Sequence, residues 1–243
     1  MRIRFQPRPV PFVVTLALII LGVALAQWQT RRAAEKDAIA AQWSARAVAP
    51  ALQLGAQIPL PIAQLEYRRV TARGHFDASA PFYLDNRPQD GQPGFYVLMP
   101  FQIGAGPVRV LVERGWLPVN RQQRAQILPY RTPQGEIEIA GVVRHNPGRV
   151  MQLGTAPAYH AGVIVQNLEV AGVALAMNWQ LHPFVLEQIT TPSVAQDGLI
   201  RDWPQPSGGA ERHRGYAFQW YALALMALVF FVVTGCRREH SES

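Results

Sequence analysis

The sequence predicts an α+β membrane protein in which two transmembrane helices flank a β-rich, mainly antiparallel extracytoplasmic domain with a few short helices. Three observations predict it. Tyr216 to Cys236 is uncharged and carries one strongly polar side chain, Gln219. Val10 to Trp28 is a second apolar run. Between the two, Val108, Val110 and Val112 alternate with Arg109, Leu111 and Glu113, the period of a strand with one buried face.

The 21 residues from Tyr216 to Cys236 rise about 31 Å as a helix, enough to cross a hydrocarbon core of about 30 Å. Tyr216, Trp220 and Tyr221 at its entry suit a membrane–water interface. The first run has two readings. A basic head, a short apolar stretch and Ala24-Leu25-Ala26 fit a cleaved signal peptide. The 19 residues from Val10 to Trp28 also fit an uncleaved anchor, the reading preferred here. Arg2, Arg4 and Arg8 precede the first span and Arg237 and Arg238 follow the second, so the positive-inside rule puts both tails in the cytoplasm. Arg31, Arg32 and Lys36 pull the other way, and Glu35 and Asp37 offset them only in part. The expected order is a cytoplasmic tail at 1–9, a span at 10–28, a domain at 29–214, a second span at 215–236 and a tail at 237–243. In a bacterium the domain is then periplasmic and the membrane is the inner one.

Gln27 to Val48 reads as a helix continuing the first span, rich in Ala, Arg and Glu and lacking Gly and Pro. Pro50, Pro59 and Pro61 then impose an extended lead-in. Strands are expected at Arg68–Phe76, Phe82–Asn86, Phe95–Ile103, Val108–Glu113, Ile137–Val143, Val163–Gln166 and Phe184–Ile189. Turn chemistry separates them: Asn86-Arg87-Pro88, Asp90-Gly91, Gly104-Ala105-Gly106-Pro107 and Asn146-Pro147-Gly148. Short helices are expected at Arg121–Ile127, with Asn120 as cap, and at Leu168–Met177. Strands this short and this closely spaced make one antiparallel sheet or a small barrel. Asp197 to Arg214 reads as the linker to the second span.

Net charge is +7, and Arg supplies 22 of the 23 basic residues. The arginines cluster only beside the apolar runs, which suits membrane flanks and not a nucleic-acid groove. The single cysteine, Cys236, excludes an internal disulfide or a thiol pair. No phosphate loop, dinucleotide turn, zinc-protease helix or nucleophile elbow is present. His75, His145, His160, His182 and His213 stand apart without helical pairing. No catalytic residue and no metal cluster is expected, and the chain does not read as an enzyme.

Two stretches carry alternatives. Arg114-Gly115-Trp116 either closes a strand, with Trp116 covering the sheet and Gly115 permitting close approach, or exposes Arg and Trp as a partner surface. His213, between Arg212 and Arg214 at the mouth of the second span, is either an interfacial polar residue among arginines that reach for headgroups or the ligand of an iron macrocycle. On the second reading Arg212 and Arg214 pair with propionates through their guanidinium forks, and Tyr216 and Trp220 support the apolar face. A single histidine suits a transfer site with a replaceable second ligand.

Nearly the whole chain resembles the surfeit-locus cytochrome c oxidase assembly family (the Surf/Shy proteins). The pieces are Gln27-Trp28-Gln29 with Arg32 and Lys36; Gly74-His75-Phe76; Pro93-Gly94-Phe95-Tyr96-Val97 with Pro100-Phe101; Leu111 to Pro118, read Leu-Val-Glu-Arg-Gly-Trp-Leu-Pro; Gln166-Asn167-Leu168; Pro183-Phe184-Val185; and His213-Arg214-Gly215-Tyr216-Ala217-Phe218-Gln219-Trp220. Val165 stands where the family pattern has Trp. The resemblance implies an inner-membrane assembly factor for haem-copper oxidase with an uncleaved first span. It implies transient binding of haem a, with His213 as suspected ligand, and insertion into subunit I. The implied partners are cytochrome c oxidase subunit I, haem A synthase or other oxidase assembly factors, and the lipid bilayer. Trp28 and Gln29 join Arg114, Gly115 and Trp116 as candidate partner-surface residues. The competing expectation is a scaffold that stabilises subunit I without haem, acting through the Arg114–Trp116 surface.

Overall fold

The computed structural model describes residues 2–5, 8–58, 60–152, 154–204 and 209–239; the side chains at 2–5 and 237–239 are outside that description. Pro59, part of the expected lead-in, and residues 205–208 of the expected linker lie outside it too. In order, the elements are β1 (Arg2–Phe5), α1 (Pro9–Ala47), β2 (Leu52–Gln53), α2 (Ile62–Leu65), β3 (Arg69–Phe76), β4 (Phe82–Leu84), β5 (Gly94–Ile103), β6 (Val108–Pro118), β7 (Ile137–Arg144), β8 (Ile164–Val165), α3 (Val170–Met177), β9 (Gln180–Gln188), α4 (Ala210–Gly235) and β10 (Cys236–Glu239). They form two compact units, one of residues 1–42 with 205–243 and one of residues 43–204. The expected class holds: two apolar helices long enough to cross a membrane flank a β-rich domain.

The β-rich unit contains a closed barrel. Strand order β3-β7-β9-β6-β5 returns to its start because β5 also pairs with β3, through Gly74↔Ile103, His75↔Gln102 and Phe76↔Phe101. Gly74 allows the closure. A Cβ there would lie 1.8 Å from the backbone oxygen of Gln102. Strands β4 and β8 extend the sheet from β5, and β2 extends it from β3. Most ladders are antiparallel, but β6–β9, β2–β3 and β4–β8 are parallel.

One apolar cluster gathers Val70, Ala72, Phe76, Met99, Phe101, Val110, Val112, Ile139, Val143, Phe184 and Leu186 from the five barrel strands. A second joins Phe82, Leu84, Leu98, Leu111 and Val185 to Val170 and Val173 of α3, and includes Val165. Residues of opposite parity on β6 therefore feed different clusters, since successive side chains leave a strand on opposite faces. This corrects the expectation of one buried face for Val108–Glu113: Val110 through Leu117 are all buried. For β7 the alternation holds, with Ile139, Gly141 and Val143 inward.

The expected helix at Arg121–Ile127 is instead a series of turns. Asn120 does cap it, its Oδ1 accepting from the amides of Gln122 and Gln123. Residues 121–126 are exposed, so no apolar face is available to pull a helix together. Helix α3 falls where expected, ending at Asn178 in the left-handed conformation. The lead-in after Pro50 carries the short α2 and β2, which proline spacing did not indicate.

Candidate functional site

In the helical unit α1 and α4 run antiparallel. Phe12 meets Phe231 at 6.0 Å between ring centroids, Gly22 meets Ala224 and Trp220, and Gln29 meets His213. The seam is built from small residues: Gly22, Ala26 and Ala33 are buried on α1, and Ala210, Ala217 and Ala224 on α4. They recur at steps of four and seven residues on α1 and of seven on α4, one face of each helix. Small side chains allow the backbones to approach closely, the usual basis of helix pairing in lipid. A Cβ on Gly22 would lie 3.0 Å from the Ala224 Cβ and 3.1 Å from the Trp220 carbonyl oxygen. Beyond the other end of the pair, β1 and β10 form an antiparallel ladder from Arg2↔Glu239 to Phe5↔Cys236.

His213 sits in the first turn of α4, half-buried on the seam side. Its Nδ1 is 2.7 Å from Gln29 Oε1. Trp220 is half-buried two turns further along, whereas Tyr216 is exposed. Arg212 is exposed. Arg214 reaches Asp37 of α1 at 2.6 Å and also pairs with Glu211. Two carboxylates already occupy its fork, so the two arginines flanking His213 are not equivalent. Trp28 is exposed beside half-buried Gln29. The structure thus joins Gln29, read as a surface residue, to His213, read as a ligand. The polar end of an apolar run was the only sequence signal for it.

Arg114 and Trp116 are not exposed, which corrects the expectation of a partner surface at this stretch. Arg114 is fully buried, on the parity of Val110 and Val112. It donates to Asp197 Oδ2 at 2.7 Å, Thr132 Oγ1 at 2.8 Å and the Arg131 carbonyl at 2.9 Å, and lies 4.7 Å from the centre of the Phe76 ring. Burial pushes its guanidinium pKa down, and the Asp197 carboxylate opposes that. Trp116 covers Gly94, where a Cβ would come 2.2 Å from the indole, and donates to the Arg87 carbonyl at 2.6 Å. Its backbone exchanges two hydrogen bonds with Ile200, of 2.6 and 3.0 Å. Gly115, at φ 154°, leaves room for Leu199 and Ile200. The stretch therefore clamps residues 197–200, and Arg201 adds a second guanidinium on Asp197.

Sequence reasoning missed a second buried polar group. Glu113 is buried and pairs across the ladder with Glu187. Burial, and next the Glu187 carboxylate, push Glu113 up to about 8. Burial pushes Glu187 up to about 7, opposed by Arg144 at 3.2 Å. Arg87, lowered by burial, donates to the carbonyls of Asp85, Gly148 and Gln166. The strand period gave no sign of it, because Glu113 reads as an outward polar residue. His182 is a satisfied core histidine, its Nε2 2.9 Å from the Gly55 carbonyl. Among the described residues, no group of three or more His, Cys, Asp or Glu side chains could hold a metal ion.

Comparison with known proteins bears on these sites. A model of the SURF1 family matches residues 16–225. Surfeit locus protein 1 of Rattus norvegicus is 31% identical over 144 residues, 51% of this chain and 45% of that protein. The protein of that name from Homo sapiens is 30% identical over 151 residues, 54% of this chain and 48% of the human one. The chain spans about half the length of these animal relatives. The SURF1-like protein of Rickettsia felis is 27% identical over 232 residues, 91% of this chain and 95% of that one.

Proposed function

The chain belongs to the SURF1 family, and from that membership we propose that it is an inner-membrane assembly factor for haem-copper cytochrome c oxidase, binding haem a and assisting its insertion into subunit I. The carrying observation is His213, a half-buried imidazole in the first turn of α4 with an arginine on either side. The donor set fits the group. Imidazole is a usual haem ligand, guanidinium matches carboxylate, and Trp220 and Tyr216 offer apolar rings. Arg212 is the better propionate partner, because Arg214 is held by Asp37 and Glu211. When bound, the haem supplies the iron and the propionates; the chain's own residues only bind and orient, and no catalytic step is assigned to them. Haem A synthase or another assembly factor supplies the haem. The scaffold alternative is weakened at the surface it named, since Arg114 and Trp116 are buried.

Both tails are cytoplasmic on this reading, and residues between the spans are periplasmic. The pairing of β1 with β10, which brings the two tails together, supports their lying on one side of the membrane. Deleting the chain should lower the haem a content of subunit I, and the intact chain should restore it. Restoration to the same level by His213→Ala would contradict haem delivery.

A further inference from the structure

We propose that Gln29 is a positioning residue for His213: its amide oxygen accepts the Nδ1 proton of the imidazole and leaves Nε2 as the nitrogen that binds iron. The inference rests on the reading of His213 as a haem ligand. The atom facing Nδ1, at 2.7 Å, is Gln29 Oε1. An amide oxygen only accepts, so Nδ1 must donate. Neutral imidazole carries one N–H, so the lone pair is on Nε2. The same contact makes the ring a stronger ligand, because a carbonyl that draws on one N–H raises the basicity of the other nitrogen.

Helix packing holds the two residues together. Gln29 lies seven residues after Gly22 on α1, and His213 lies seven before Trp220 on α4. Gly22 is in close contact with the Trp220 carbonyl. Two turns along antiparallel helices, the same seam brings Gln29 to His213. Ala26 and Ala33, buried on either side of Gln29, keep the helices near enough for a side-chain bond. The Arg214–Asp37 pair adds a second tie between the helices. A neutral amide, unlike a carboxylate, orients the ring without placing a full negative charge beside it.

The test uses the full-length protein with ¹⁵N-labelled histidine. Haem-free protein at alkaline pH should show the His213 ring, assigned by its loss in His213→Ala, protonated on Nδ1. Gln29→Leu should move the proton toward Nε2, and Gln29→Glu should keep it on Nδ1. In protein from cells making haem a, His213→Ala should lack the Soret band. Gln29→Leu should weaken haem retention by about 10–100-fold and raise the reduction potential, and Gln29→Glu should retain haem at a lowered potential. Protonation of His213 on Nε2 in the unsubstituted protein overturns the proposal. So does a Gln29→Leu protein with unchanged tautomer and potential while His213→Ala is colourless, a result that leaves haem binding by His213 standing. A full Soret band in His213→Ala overturns haem binding by His213 and with it the proposed purpose of Gln29, while the tautomer still reports whether Gln29 holds the ring.

Discussion

The guanidinium of Arg114 lies 2.7 Å from the carboxylate of Asp197, and both side chains are withdrawn from water. Arg201 shares the same carboxylate, so one buried anion is the counter-charge of two buried cations. Asp197→Ala should cost about 3–5 kcal/mol, the usual penalty for stranding a buried charge. Denaturant unfolding of the full chain should show a lower midpoint at unchanged slope. By contrast, Arg73→Ala at the exposed Arg73–Glu138 pair should cost about 0–1 kcal/mol.

Stability should fall as pH rises across the Glu113–Glu187 pair. Folding raises these carboxyls from an ordinary 4.5 to about 8 and about 7. Between pH 4.5 and those values the folded state holds protons that the unfolded state has lost. The contribution is therefore complete below about 4.5 and is lost as pH rises through about 7 and 8. Glu113→Gln keeps the shape and removes the titration. Its unfolding midpoint should vary less with pH and exceed that of the unsubstituted protein on the alkaline side. An unaltered pH profile would sink the assignment.

Closing the barrel depends on Gly74. Gly74→Ala forces a Cβ to within 1.8 Å of the Gln102 oxygen, and backbone cannot yield as a side chain tip can. A loss of about 1–3 kcal/mol or more is expected from overpacking, with hydrogen exchange rising first in the amides of residues 101–103. Gly106→Ala, where a Cβ would meet nothing within 4 Å, should spare those amides.

The two apolar helices and most strands were legible because burial writes a period into the residues: β7 alternates as its sequence does. β6 hid its second buried face, since Glu113 and Arg114 look like solvent residues until Glu187 and Asp197 are brought beside them. A small barrel was one of two readings, but the pair that closes it was not legible, because the Gly74↔Ile103 register joins strands that no local pattern links. The seam was half legible. His213 stood out by its basic neighbours, but its contact with Gln29 spans 184 residues of chain. The Arg114–Trp116 stretch carried two readings because Arg and Trp suit both interfaces and buried clamps, and the structure shows the strand-closing one, with Trp116 over Gly94.

Topology has a direct check. A reporter active only after export should work when fused after residue 43 and fail when fused after residue 240. Export-dependent activity at the second position would place the carboxyl-terminal tail outside the cytoplasm.

The most direct measurement is the absorption spectrum of the purified full-length chain from cells that make haem a. A Soret band present in the unsubstituted protein and lost in His213→Ala, with the fold intact by unfolding midpoint, is the predicted result. A Soret band of equal intensity in His213→Ala, or colourless protein that still restores oxidase, would contradict the account.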